Sequence, residues 1–149
     1  MTDAARNLPI CSHKMLLSAS LTAALISLST GSAFAQEIRG VARVIDGDTI
    51  QVSSLRIRIH ALHAPEMDEP GGVAAKAAMK EIVGRQPVTC RPVDLDRYGR
   101  TVADCRNAAG QDLAEAMISA GVARHCPRFG RSDLRGTPTN GLSLPAYCR

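Results

Sequence analysis

Alternation of apolar and polar positions dominates the chain after residue 37. "IRGVARVIDGDTIQVSSLRIRIHAL" reads as three short apolar-rich runs, the third with strict alternation, the pattern of half-buried strands. The runs cover residues 38–45, 49–52 and 55–59. Asp46-Gly47-Asp48 separates the first two with turn chemistry, and Ser53-Ser54 links the next two tightly. In the third run Ile57 and Ile59 alternate with Arg56, Arg58 and His60. One face enters a core and the other carries basic and titratable groups. This predicts an antiparallel meander with a basic outer face.

The period then changes. "GGVAAKAAMKEIVGR" is alanine-rich, has no interior proline, and reads as a helix with Gly84 as its stop. "VTCRPV" and "RTVADC" read as two more strands joined through residues 94–99, with the turn between Arg97 and Tyr98. "DLAEAMISAGVA" predicts a second helix, with Leu113, Met117 and Ala120 on one side. From Pro127 onward the chain is rich in Pro, Gly and Arg without periodicity, and reads as an irregular tail. Five short strands with an intervening helix suit a β-rich α+β fold, a five-stranded barrel of the OB type with about two helices.

The first 35 residues read differently. Arg6 and Lys14 precede the apolar stretch "MLLSASLTAALISLSTGSAFA", which ends in Ala33-Phe34-Ala35. That is a signal-peptide pattern with an A-x-A cleavage site, and its serines and threonines disfavour a membrane-spanning helix. Cleavage would leave residues 36–149 as one domain, exported to the periplasm or secreted, with no membrane association. Two basic residues and one acidic one would leave with the leader, reducing the formal charge from +4 to +3. The remaining basic residues are almost all arginine, Lys76 and Lys80 being the exceptions, and the planar guanidinium fork suits phosphate oxygens. Cys90, Cys105, Cys126 and Cys148 remain, which suggests two disulfides in an exported domain. A hairpin turning between Arg97 and Tyr98 sets Cys90 opposite Cys105, at roughly 4.5–5.5 Å between Cα atoms, within bridging range. Cys126 is then left for Cys148, tying down the tail.

Three motifs carry candidate chemistry: "VIDGDTI", "RIHALHAPE" and "DRYGRTVA". In this order, with an alanine-rich helix between the second and third, they resemble the thermonuclease family (staphylococcal nuclease homologues) over residues 41–123. The resemblance implies an OB-fold and Ca²⁺-dependent hydrolysis of DNA and RNA phosphodiesters. It implies that Asp48 binds the metal, with Asp46 beside it. It further implies that Arg58 and Arg100 hold the phosphate and its developing charge, and that Glu66 orients or activates the attacking water. These residue types are apt: a pentacovalent phosphate gains negative charge that bidentate cations stabilise, and the water needs an acceptor.

His63 departs from the pattern, since it stands where the family has a second metal-binding carboxylate, and Ala64 offers only its backbone carbonyl. Calcium prefers several oxygen ligands. Three readings stay open. Weak Ca²⁺ could be held through Asp48, Glu66, the Ala64 carbonyl, water and substrate. A borderline ion such as Mn²⁺, Zn²⁺ or Ni²⁺ could use His63 as a ligand. Or the metal is gone and the domain only binds.

Each residue alone has a plainer role. Asp46 and Asp48 suit a turn, Arg58 a solvated strand, Arg100 a brace for the Asp96 turn, and Glu66 a cap; His60 reads as an ordinary surface histidine. Their joint pattern favours an exported, monomeric, metal-assisted endonuclease acting on DNA or RNA, with no stable protein partner. The alternative is a catalytically degenerate OB-fold module that binds nucleic acid or another polyanion. After loss of Phe34 only Tyr98, Phe129 and Tyr147 remain as aromatics, few for a dedicated stacking platform.

Overall fold

The alternation in residues 38–59 becomes three strands, β1 (Ile38–Val44), β2 (Thr49–Val52) and β3 (Leu55–Ile59). A computed structural model describes residues 36–135 and 142–149; the predicted leader lies outside the described residues. Val44, Ile50, Val52, Ile57 and Ile59 are buried, as the period requires. β1 and β2 are antiparallel, as are β2 and β3, where Thr49 faces Arg58. The two-residue strand β4 (Leu62–His63) and helix α1 (Gly72–Val83) follow, then the hairpin of β5 (Pro87–Leu95) and β6 (Thr101–Arg106). The first half of β1 pairs with β5, and β6 runs parallel to β3, with Ile57 beside Thr101. The barrel closes in the order β1-β2-β3-β6-β5, the predicted five-stranded architecture.

Both predicted helices form. α1 puts Ala75, Met79 and Val83 into the core at four-residue spacing and stops at Gly84, whose φ of 66° an L side chain resists. Helix α2 (Leu113–Ser119) begins at Asp112, which accepts from the Ala114 and Glu115 N–H groups. Leu113 and Met117 are fully buried. Ala120, expected beside them, is exposed at the C-cap because the chain turns away at Gly121, at φ 74°.

The hairpin differs in detail from the sequence expectation. Cys90 does face Cys105, but Asp94 faces Val102, so Val93 is an extra residue in β5. The turn is accordingly centred on Tyr98, between Asp96 and Arg100: Asp96 N–H donates to the Arg100 carbonyl, and Gly99 N–H to the Asp96 carbonyl. The bulge absorbs the offset and keeps the cysteines in register. Cys90 and Cys105 are bonded with Cα atoms 4.1 Å apart, and Cys126 and Cys148 with 4.6 Å.

The described residues of the tail form a short strand and short turns. Strand β7 (Arg124–His125) forms a small ribbon with β4, setting His63 opposite Arg124. Beyond it come 3₁₀ turns at Pro127–Phe129, Ser132–Leu134 and Ala146–Cys148. Arg131 fastens this segment by pairing with Asp104 and Asp112 at 3.1 Å and Asp133 at 2.7 Å. His60 is not the idle surface residue its sequence context suggests. Its Nδ1 meets Asp104 Oδ1 and its Nε2 meets the Phe129 carbonyl, each at 2.8 Å, so it pins the tail to β6. No helix among the described residues is long and apolar enough to cross a membrane.

One close approach holds the Asp46-Gly47-Asp48 turn against the rest of the domain. A Cβ on Gly47 would lie 2.6 Å from Ala64 Cβ and 2.7 Å from Ala75 Cβ, distances no packed methyl tolerates. Gly47→Ala is therefore predicted to destabilise the domain by about 1–3 kcal/mol, the usual range for overpacking. Urea unfolding measures this; an unchanged midpoint would mean the contact relaxes freely.

Candidate active site

Asp48 is held by its own turn before its side chain is considered. Its carbonyl accepts from Ile59 N–H at 2.9 Å, and its N–H donates to Asp46 Oδ1 at 3.0 Å. The result is a carboxylate only 3% exposed, which is costly without donors. Oδ1 accepts from Thr49 Oγ1 at 3.1 Å and is ion-paired with Arg58 Nη1; Oδ2 accepts from Ala64 N–H at 3.2 Å. Burial nevertheless pushes the Asp48 carboxyl up to about 6, against the pull of Arg58 and with a further push from Asp46.

Arg58 also donates through Nη2 to the Leu62 carbonyl at 3.1 Å, so β3 and the approach to β4 fix its guanidinium. Arg100 comes from the hairpin. Its Nε donates to Asp96 Oδ2 at 2.7 Å, and its Nη1 to Thr49 Oγ1 at 3.3 Å. The bracing role that sequence allowed for Arg100 is thus real, and it holds the guanidinium toward Arg58 rather than away from it. Thr49, buried on β2, contacts Asp48 on one side and Arg100 on the other.

Arg58, Glu66 and Arg100 line one cleft of about 850 Å³, together with Tyr98, Phe129 and Tyr147. Glu66 is exposed, but its main chain is constrained. Its N–H donates to Glu69 Oε2 at 2.9 Å, and a Cβ on Gly72 would fall 1.8 Å from its carbonyl oxygen. Only glycine at the first residue of α1 lets the helix seat there. His63 is half-buried on β4 and outside the cleft lining. Its Nδ1 lies 3.1 Å from the Tyr147 hydroxyl, with the rings edge-on at 6.0 Å. Burial, and then Arg58, lowers its pKa against the pull of Glu69, which keeps the ring neutral near pH 7.

The structure therefore gathers Arg58, Glu66 and Arg100, places Asp48 behind Arg58 with Asp46 at its N–H, and has Ala64 serve Asp48 through its N–H. Three contributors were given no site role from sequence. Thr49 and Asp96 sit inside the quoted motifs, and Tyr147 had only its adjacency to Cys148 as a signal. The donor set does not fit a calcium cage as it stands. Calcium takes roughly six to eight oxygens, whereas both Asp48 oxygens are engaged by Arg58, Thr49 and Ala64. Among the described residues no group of three or more His, Cys, Asp or Glu is gathered to hold an ion. With Arg58 kept on Oδ1, a cation at Asp48 would have only the second lone pair of Oδ2.

Residues 56–135 match the family described as "Staphylococcal nuclease homologue", and the chain belongs to that family. It is 34% identical over 118 residues to "Succinoglycan biosynthesis protein ExoI" of Rhizobium meliloti, covering 72% of this chain and 61% of the relative. It is 40% identical over 125 residues to "Protein ParB" of Escherichia coli, covering 75% and 69%. It is also 32% identical over 123 residues to "Micrococcal nuclease" of Shigella flexneri, covering 74% and 71%. The matched region thus spans about three fifths to seven tenths of these relatives.

The Asp48 environment predicts a pH dependence of stability in metal-free protein. The folded carboxyl titrates near 6 against an ordinary 3.8, so between those values the folded state binds more protons than the unfolded. Its contribution is full below pH about 4 and is lost as pH rises through about 6. Urea midpoints in EDTA should show wild type losing stability relative to Asp48→Asn across that window and not above it. A level difference from pH 4 to pH 7 would mean that Asp48 titrates as an ordinary carboxylate.

Proposed function

We propose that this domain hydrolyses phosphodiester bonds of DNA or RNA as an endonuclease, with the divalent-cation dependence expected of its family, and that it works after export. The observation that carries this is the convergence of Arg58, Glu66 and Arg100 on one cleft. Arg58 reaches it from β3 and Arg100 from the hairpin, so two planar forks approach a phosphate from different walls. Each could donate two hydrogen bonds to nonbridging oxygens, an arrangement that gains most when charge develops on phosphorus. Glu66 is exposed and can accept the proton of an attacking water. A domain that merely held a polyanion would bind better without a carboxylate beside the two arginines. Export is supported by the pairing of Cys90, Cys105, Cys126 and Cys148 into two disulfides, which persist in oxidising compartments.

Two measurements test this proposal. Arg100→Lys should lower kcat on a short oligonucleotide by about 100-fold or more, with a smaller change in KM. Lysine cannot keep the Asp96 contact and present a fork at once. Unchanged turnover would remove Arg100 from the machinery. Separately, calorimetric titration should give a Ca²⁺ Kd of about 1 mM or weaker, as expected when carboxylate ligands are few. Micromolar affinity would show that the Asp48–Arg58 pair yields readily to calcium.

A further inference from the structure

The C-terminal segment returns to the cleft. Cys126 follows β7, and its N–H donates to the Ala61 carbonyl at 2.8 Å, immediately before β4. Its disulfide to Cys148 therefore anchors the turn Ala146–Cys148 next to the strand that carries His63. Tyr147 is 46% exposed and lines the cleft with Arg58, Glu66 and Arg100. It lies outside the family match, which ends at residue 135.

The phenol has defined company. His63 Nδ1 lies 3.1 Å from its oxygen, and Tyr147 lines the cleft beside Arg58. A tyrosine hydroxyl has one proton and two lone pairs, arginine can only donate, and a neutral imidazole donates from whichever nitrogen carries the proton. The Nδ1–H tautomer of His63 donates to that oxygen and leaves the phenol proton for whatever occupies the cleft.

We propose that Tyr147 is a further catalytic residue: its hydroxyl donates to the phosphate held by Arg58 and Arg100, and His63 is its positioning residue. This rests on the phosphodiesterase reading of the same cleft. It gives position 63 a use that needs no metal, since an imidazole can orient a phenol where a carboxylate would have been a cation ligand. It also makes the Cys126–Cys148 bridge a tether for a working group, so cleavage depends on that disulfide.

The test compares wild type, Tyr147→Phe, His63→Ala and the Cys126→Ser/Cys148→Ser pair by steady-state kinetics on a short oligonucleotide, with inorganic phosphate affinity measured in parallel. Tyr147→Phe removes one hydroxyl and should lower kcat about tenfold, equivalent to roughly 1.4 kcal/mol, with KM changed much less. His63→Ala and the cysteine pair should each show a similar loss, and adding Tyr147→Phe to either should lose nothing further, because the residues act as one unit. Wild-type kcat in Tyr147→Phe, or a full additional tenfold loss in the combined variants, would overturn the proposal. If wild type does not cleave at all, the nuclease reading itself has failed, and phosphate affinity decides the contact. A several-fold weakening in Tyr147→Phe supports it; equal affinity, or no phosphate binding by wild type, overturns it.

Discussion

A carboxylate 3% exposed must find a donor for each oxygen, and Asp48 finds them on separated parts of the chain. Thr49 lies beside it, Arg58 is on β3, and the Ala64 N–H follows β4. Meeting that requirement sets β2 against β3 and draws the exit of β4 under the turn. Gly47 is needed because Ala64 and Ala75 then close on it. Arg58 faces the cleft as a partner of Asp48, so the interaction that satisfies the buried charge also aims the cation. A buried ion pair of this kind is weak evidence for stability, and the raised pKa of Asp48 points the same way. What it supplies is placement.

The tail is held by a second polar device. Asp104 receives Arg131 and His60 on one oxygen and Arg91 on the other. Burial raises its pKa, but the hydrogen bond from His60 and the charge of Arg131 outweigh this and hold it below the usual carboxylate range. The Arg91 contribution is small, because that side chain is mostly exposed. Arg131 is well shielded and ties three carboxylates, so it fixes a segment whose described residues bury little beyond Leu134 and Cys148. In place of a helix with an apolar face, the domain uses a charge network and a disulfide.

What could be read from the sequence was what short-range patterning determines. The strands, both helices and their stops follow from period, caps and glycines. The Cys90–Cys105 pair follows from the facing positions of a hairpin, even though Val93 displaced the turn. The β4–β7 ribbon is two residues on each side, too short to show a period. The role of His60 depends on Phe129, 69 residues away, and the place of Tyr147 depends on a bridge spanning 22 residues. The first leaves no local trace, and the second only the adjacency of Tyr147 to Cys148. Arg58, Glu66 and Arg100 could be found together because each lies in a motif; Tyr147 lies in none.

The scarcity of aromatic residues takes on a different meaning once they are placed. Tyr98, Phe129 and Tyr147 are the aromatic residues of the described chain, and all line the same cleft, with exposures of 69%, 50% and 46%. The core is filled instead by Ile, Leu, Val, Met and Ala. Counting aromatics argued against a stacking surface; their convergence removes that argument, because base stacking needs ring faces in one place rather than many rings. Arg97 and Arg100 lie 4.9 and 5.5 Å from the Tyr98 ring centroid, near enough for cation–π attraction to steady it. Tyr147 is steadied by His63 and the disulfide, and the Phe129 backbone by His60. Each ring or its backbone is thus restrained by a polar or covalent contact, which keeps apolar surface in the cleft without burying it in the core.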